Sequence, residues 1–453
     1  MRTAITLGLV LTVGLPIAAQ TVDAYKERAD DQQAHPWQMM VPPPVSGAAY
    51  ATVVGAEEAS NYLRTGVTLS GGYIRNLNPG SGTQTINDGM YLVEPTLAID
   101  RTSTRSHATV TYEPSFTWYE PNSLNTADHA VSADVNLRLS PHVSLRAGET
   151  LDKTTSAFGR VNPAFEGPVT GSTAFVTPGV VGLFVPEVTN ETMAGLSWQF
   201  DRNRMIAASG WLNVLHVTDN AQAKGLYNTQ TRGGSGAVIQ RVGPQQYLGG
   251  MYQYTTTQAN PVVATQTNSS DFQTNNLFGF YTAYPLPQIS LSLQGGGQYY
   301  TLADHTSSLH YQKWTPAGSA SIGWHGYRTG LAMTYSRLGT AGEGVVGGFM
   351  TNAAIGSATW EMAHRWTLAL EAGYTAIGNL LPVTTAQVIQ NGHTVSGTAV
   401  VGHDLTANLR VTGSYSRLQQ SYGNVNIPAI ANNPNSDRVL MSLTYLLSRP
   451  IGR

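Results

Sequence analysis

Hydrophobic and polar residues alternate along most of the chain with a period of two. In the first clear example, Val67 and Leu69 alternate with Thr68 and Ser70. This period is typical of a β-strand with one apolar face, because successive side chains point to opposite sides. Further segments show it clearly, at residues 91–99, 110–118, 131–139, 143–147, 194–200, 206–214, 248–254, 289–293, 320–324, 331–335, 366–374, 405–415 and 439–447, and others weakly, near 234–241, 274–284, 349–361 and 394–402. The pattern predicts about eighteen strands of ~10 residues, the length that a tilted strand needs to cross a bilayer.

The predicted connections alternate between short and long. Short ones carry the Pro, Gly, Asp and Asn residues that tight turns require, at 100–106, 140–141, 201–204, 242–245, 285–287, 326–328, 362–364 and 402–404. Long ones are rich in Gly, Asn, Thr, Gln and Ser, at 75–89, 152–189, 217–233, 258–273, 377–393 and 419–435. This rhythm predicts an all-β fold, a transmembrane antiparallel up-and-down β-barrel with short periplasmic turns and long external loops. The alternative, a secreted β-sandwich or propeller, favours shorter strands and has no such rhythm.

Aromatic residues fall at both ends of the predicted strands, on the apolar side. Aromatic rings concentrate at the two interfaces of a membrane. We therefore expect one girdle at the outer ends, including Tyr73, Trp118, Tyr374 and Tyr415, and one at the inner ends, with Trp198, Trp324, Trp366 and Tyr445.

The beginning of the chain indicates export. Arg2 is followed by an apolar run at 4–18 that closes on small residues, which is typical of a secretory signal peptide. We expect a cleaved signal peptide at 1–20, a Pro- and Ala-rich periplasmic arm at 21–64, an outer-membrane barrel at 65–448 and a short tail at 449–453.

Composition narrows the chemistry. Only 11% of the residues are charged, the formal net charge is -2, and Cys is absent. A charge near zero offers no basic field for nucleic acid, so we expect no nucleic-acid partner. The absence of Cys excludes thiolate nucleophiles and Cys-ligated metals.

From about 65 to 447 the chain resembles bacterial outer-membrane β-barrel proteins of porin type, and eighteen strands would be similar to the sugar-specific porins. The resemblance rests on architecture and not on a signature motif. One departure is the C-terminus, because such barrels usually finish on an aromatic residue, whereas this chain continues past Tyr445. We expect outer-membrane lipid and the barrel assembly machinery as partners, with small polar solutes and homo-oligomerisation as further expectations.

The inward-facing residues of a barrel determine what passes through it. We expect a wet, weakly charged lumen and a passive pore for small polar solutes, with wall charges at Glu113, Asp134, Arg138, Arg146, Arg337 and Arg410. Any large barrel wall would look similar, so this pattern does not by itself establish conduction. The resemblance also implies that the third external loop, identified here with 152–189, folds inward as a constriction, its charges being Asp152, Lys153, Arg160, Glu166 and Glu187. The alternative is that the phenylalanines of this loop pack as a surface lid.

The sequence leaves three functions other than a pore to be considered, namely catalysis, export, and surface adhesion or reception. Catalysis is disfavoured, because His107, His142, His325, His364 and His403 all lie near short turns and read as interface residues. Asp304, His305 and His310 are too loosely spaced to define a metal site, so we expect no metal, no cofactor and no enzymatic activity. The barrel could instead serve polysaccharide or protein export, with 21–60 docking a periplasmic partner, or act as a surface adhesin or receptor.

Overall fold

The computed structural model describes residues 61–77, 86–120, 125–156, 184–218, 226–263, 269–286, 288–304, 309–341, 348–363, 365–380, 391–423 and 435–451. The predicted signal peptide and most of the predicted arm lie outside these residues. Eighteen strands run through the described part, namely β1 (Asn61–Leu77), β2 (Ile86–Thr102), β3 (Ser106–Glu120), β4 (Asn125–Ser140), β5 (Val143–Ser156), β6 (Phe184–Asp201), β7 (Arg204–Val217), β8 (Tyr227–Gly243), β9 (Gln246–Pro261), β10 (Ser270–Leu286), β11 (Ile289–Asp304), β12 (Leu309–His325), β13 (Thr329–Ala341), β14 (Gly348–Ala363), β15 (Trp366–Asn379), β16 (Asn391–Asp404), β17 (Leu409–Gly423) and β18 (Asn435–Pro450). No helix in the described residues is long and apolar enough to cross a membrane.

The strands form one closed antiparallel barrel. Each strand pairs with its neighbours in sequence, and β1 pairs with β18 to close the ring. Hydroxyl groups reinforce this closing seam on the lumen side, where Thr68 Oγ1 lies 3.0 Å from Thr444 Oγ1 and Ser70 Oγ donates to Ser442 Oγ at 2.8 Å. Closure leaves the sheet without exposed edge strands, which is what allows a β-sheet to span a bilayer. The predicted fold class is confirmed.

The strands are longer than predicted, from 13 residues in β13 to 18 in β6. The apolar band on the outer face is shorter, running from Trp366 to Tyr374 on β15 and from Trp324 to Trp314 on β12. That is about the 9–11 residues that a tilted strand needs to cross the hydrocarbon. The alternation in the sequence therefore marks the band and not the whole hydrogen-bonded strand, because polar residues beyond the band pair equally well.

The connections alternate in length as predicted, although most boundaries move. The turns at one end are brief, such as 141–142, 202–203 and 244–245. The segment predicted as loop 152–189 is shorter, because β5 continues to Ser156 and β6 begins at Phe184. Leu405, predicted to begin a strand, lies instead in the turn 405–408.

The lumen differs between the two halves of the barrel. On β7 to β13 the inward side chains include large apolar residues that pack together in one buried cluster, among them Met205, Ile239, Tyr247, Phe278 and Leu338. This half of the wall contradicts the expectation of a uniformly polar interior. Burial of this cluster stabilises its part of the wall, and buried polar residues such as Thr282, Ser290 and Ser321 share the same face.

One seam of the barrel is incomplete within the described residues. β12 and β13 pair from Gly318 and Arg337 down to their shared turn, whereas residues 338–341 pair only with β14. The buried side-chain amide of Gln298, on β11, takes the missing position. Its Nε2 donates to the Gly339 carbonyl at 2.9 Å, and its Oε1 accepts from the Gly339 amide at 2.6 Å. The amide thus satisfies backbone groups that would otherwise be buried without a partner.

Candidate functional site

A cavity of about 610 Å³ lies in the lumen, between the strands that flank the closing seam. It is bounded by β2 to β5 on one side and by β15 to β18 on the other, with β1 between them. These strands bring together residues from both ends of the chain, because ring closure places β18 beside β1.

Carboxylates occupy one side of the cavity. Glu94, Glu113, Asp128 and Asp152 come from four successive strands, β2 to β5, and all line the cavity. Each lies on the strand face opposite the lipid-exposed residues; Glu113, for example, alternates with Tyr112 and Phe116, which lie on the outer face with Trp118. Hydroxyl groups hold two of them, since Ser115 Oγ donates to Glu94 Oε1 at 3.3 Å and Thr155 Oγ1 donates to Asp128 Oδ1 at 2.9 Å.

Arginines occupy the other side. Arg410 lies on β17, where its Nη1 is 3.5 Å from Asp404 Oδ1 and its Nη2 donates to Thr367 Oγ1. Arg438 lies on the next strand, β18, and also lines the cavity. Thr444 and Thr68 stand between Arg410 and Glu94 in one register row that crosses the closing seam.

This arrangement offers polar recognition. Hydroxyl, carboxylate and guanidinium groups together can exchange hydrogen bonds with a solute that carries several polar groups. Opposed charges on two walls also produce an electric field across the space between them.

Five of the six residues predicted to line the pore lie on the lumen side. They are Glu113 on β3, Asp134 and Arg138 on β4, Arg146 on β5 and Arg410 on β17. Arg146 and Asp134 form an ion pair with 2.8 Å between Nε and Oδ2. The pair lies outside the cavity lining, nearer to the short turn between β4 and β5. Their charges are therefore largely compensated within the wall.

Arg337 was assigned to the pore wall and lies instead on the outer face. It follows Leu331, Met333 and Tyr335 on alternate positions of β13, and all three of those side chains are exposed on the outside. The alternation of side chains along a strand fixes this placement.

The observed strand boundaries place three of the predicted constriction charges on paired strands and not in a loop. Asp152 and Lys153 lie on β5, and Glu187 lies on β6 with 7% of its surface exposed. Arg160 and Glu166 fall in 157–183, outside the described residues. The eight girdle aromatics Tyr73, Trp118, Trp198, Trp324, Trp366, Tyr374, Tyr415 and Tyr445 are all exposed on the outer face.

Sequence reasoning missed several lumen charges. Glu94, Asp128 and Arg438 line the cavity, and Glu371 lies on the lumen-facing side of β15, between Leu370 and Ala372. The same alternation would have found them, since each is flanked by outward-facing residues. What the sequence did not indicate is that the first and last strands share one cavity.

The described histidines show no metal-binding arrangement. No group of three or more His, Asp or Glu side chains that could hold a metal ion occurs among the described residues. His403 stacks on Trp366 with ring centroids 4.4 Å apart, and His107 Nε2 lies 3.2 Å from Asp100 Oδ1. His305 and His364 lie outside the described residues.

Comparison with known proteins concerns the fold. No protein-family model matches the chain, and no curated protein matches it. Among solved structures it is similar to Pseudomonas aeruginosa OccK2 (OpdF) in complex with glucuronate, with 13% identity and a TM-score of 0.41, covering 85% of this chain and 98% of that one. It is also similar to the unliganded ferric citrate transporter FecA, with 11% identity, a TM-score of 0.41 and 84% of this chain covered, and it spans 64% of the FecA chain. A bacterial polysaccharide outer membrane secretin aligns over 85% of this chain and 99% of its own, with 8% identity and a TM-score of 0.34. With TM-scores below 0.5, these similarities support no statement about function.

Proposed function

We propose that the protein is an outer-membrane channel for small polar solutes. The observation that carries the proposal is the lumen cavity, which four carboxylates and two arginines line together with several threonines. Wall charges and pore width determine which solutes enter a channel. A solute with several hydroxyl groups and at most one or two charges, such as a sugar or a sugar acid, matches this lining.

The connection between β5 and β6, 157–183, is proposed as the element that narrows the channel. It leaves β5 just beyond Asp152 and Thr154, two residues that line the cavity, and it returns through β6. It is also the longest connection between successive strands. A segment of this length anchored at the cavity wall is long enough to reach over the lumen.

The test is single-channel recording of the purified barrel in a planar bilayer. We expect measurable conductance, and we expect shortening of 157–183 to raise it. Glu113→Gln combined with Asp152→Asn should shift ion preference toward anions, because it removes two negative charges from the wall. Glu120→Gln is the matched control, since Glu120 lies on the same strand as Glu113 but is exposed at its end beside Trp118.

Two results would overturn the proposal. One is a barrel that folds and inserts but remains silent, with and without the 157–183 segment. The other is an equal shift in ion preference for Glu120→Gln and for the cavity variant, which would mean that the cavity does not lie on the conducting path.

A further inference from the structure

The end of β13 that adjoins the long connection lies on the lumen side of β11. Gly339 and Ala341 continue the outward-facing positions of β13 beyond Arg337. Their neighbours are nevertheless inward-facing side chains of β11, because Gly339 is hydrogen-bonded to Gln298, and Ala341 packs against the buried cluster that contains Tyr300. An outward-facing position that contacts an inward-facing side chain requires two layers of wall. The end of β13 is the inner layer.

The strands that follow β13 share this inward displacement. Gly348, which begins β14, lies so close to β10 that an added Cβ would be 2.6 Å from the Phe272 ring. Leu380, directly after β15, packs against the cluster that contains Phe272. We call residues 339–341, 348 and 380 the folded-in ends. Sheets that pack face to face lie about 10 Å apart, so the folded-in ends bring this part of the wall into the lumen by a similar distance.

Pro316 explains why β12 does not hold the end of β13. The His325 amide donates to the Gln288 carbonyl, so odd-numbered residues of β12 bond toward β11 and even-numbered residues bond toward β13. Continuation of the β12–β13 register would place Pro316 opposite Gly339. Proline has no N–H, so the Gly339 carbonyl would lack its donor in that pairing. Pro316 therefore makes the rest of β12 an edge, which is where a sheet tolerates proline.

Gln298 supplies the hydrogen bonds that Pro316 does not. Its Nε2 donates to the Gly339 carbonyl at 2.9 Å, and its Oε1 accepts from the Gly339 amide at 2.6 Å. The side-chain amide thus makes the two hydrogen bonds that a residue of β12 would otherwise make with Gly339, but it makes them from the inward face of β11. Pro316 disfavours the extended wall and Gln298 favours the folded-in position, so both residues act in the same direction.

We infer that Pro316 and Gln298 make the folded-in ends a fixed constriction, which sets the largest solute that the channel admits. This inference rests on the proposed channel function and adds a determinant of solute size. The folded-in ends narrow the lumen from the side of β13 to β15, whereas the proposed 157–183 constriction leaves the wall at β5. Pro316, Gln298 and Gly339 are uncharged, so this constriction discriminates by size and not by charge.

The experiment measures polymer exclusion by the purified barrel in planar bilayers, with polyethylene glycols of graded mass in the recording solution. The test variant combines Gln298→Ala with Pro316→Val, which removes the side-chain amide and restores an N–H on β12. The Gly339 carbonyl can then accept from the backbone at position 316, so β13 extends its pairing with β12 and leaves the lumen. The exclusion limit should shift to larger polymers, while the preference between cations and anions stays unchanged.

Stability provides a second readout for the same pair of residues. Gln298→Ala alone removes both partners of Gly339 and should lower the urea midpoint of unfolding. Addition of Pro316→Val should recover part of this loss, because the restored N–H of β12 replaces the lost donor. If Gln298 only filled space in the lumen wall, no such recovery would occur, since Pro316→Val does not refill the site of the amide.

The matched controls are Gln253→Ala and Ala320→Val. Gln253 carries a buried lumen amide in the same register row as Gln298, and Ala320 lies on β12 where it is still paired with β13. An unchanged exclusion limit in a test variant that conducts would overturn this inference alone, as would an equal shift in the controls or the absence of any recovery in stability. A barrel that is silent in every variant would overturn the proposed function, and the constriction with it.

Discussion

At the scale of single residues, the two faces of a strand should respond oppositely to the same substitution. Leu370 lies on the outer face of β15 and is 43% exposed, whereas Ala369 lines the lumen cavity. Leu370→Arg should reduce the free energy of unfolding by about 2–4 kcal/mol, because the guanidinium would enter hydrocarbon near mid-membrane. Ala369→Arg should be much milder, and equilibrium unfolding in lipid vesicles measures both.

Leu409 shows how the register refines this expectation. It begins β17 and pairs with Tyr445 of the inner girdle, so it lies near an interface and not at mid-membrane. An arginine there should cost only about 0–1 kcal/mol. A penalty at Leu409 as large as the one at Leu370, or equal penalties at Leu370 and Ala369, would show that the membrane depth or the facing of these strands is wrong.

Arg337 illustrates the difference between residue type and residue position. Its charge suggested the pore wall, yet the alternation through Leu331, Met333 and Tyr335 places it outside. The information was present in the sequence, because the period of two assigns a face to every residue of a strand. The position of a residue in the alternation therefore predicts its face of the strand better than its chemical type does.

At the scale of elements, β12 and β13 are not paired beyond Gly318 and Arg337, and the side chain of Gln298 stabilises this unpaired part of the sheet. Gln298→Ala would leave the amide and carbonyl of Gly339 without their partner in a buried position. An unsatisfied buried polar group costs about 1–3 kcal/mol. We therefore expect the free energy of unfolding to fall by at least that amount.

Gly339→Ala should be destabilising for a different reason. A Cβ at this position would lie 2.7 Å from Gln298 Oε1, so the amide would have to move and lose its hydrogen bonds. Gly413→Ala is the control, because its Cβ meets nothing within 4 Å. If Gly339→Ala and Gln298→Ala unfold at the same denaturant concentration as this control, the amide does not hold the two strands together.

At the scale of the whole molecule, the alternation of connection lengths predicts which end of the barrel faces outward. A cysteine replacing Thr265 or Thr385, both in long connections, should react with a membrane-impermeant maleimide on intact cells. A cysteine replacing Asn203 or Tyr327 should not react, since both lie in short turns at the opposite end. Tyr327 is 82% exposed, so its protection would come from the membrane and not from burial in the protein. Labelling of the turn cysteines on intact cells, with the loop cysteines silent, would reverse the orientation.

Local pattern was sufficient for the strands and their faces. All fourteen clear and four weak segments correspond to strands, because a strand buried on one face must alternate whatever its partner is. Strand ends were less predictable, since backbone pairing continues beyond the apolar band without any need for hydrophobic side chains. Leu405 and Asp152 both lie where the pattern and the hydrogen-bonded ladder end at different residues.

The candidate site shows what only the tertiary structure decided. Alternation along each strand indicates that Glu113 and Arg410 face inward, but these residues are far apart in the chain. They line one cavity because β18 closes onto β1, and no local pattern encodes which strands lie opposite one another across a ring. The buried cluster that contains Phe278 and Leu338 likewise brings together residues of β10 and β13, which are not neighbours in sequence. The sequence by itself determined the strands, their faces and the membrane-spanning band, since these follow from burial on one side of a pleated chain. The position of the cavity follows from closure and register, which are properties of the whole barrel.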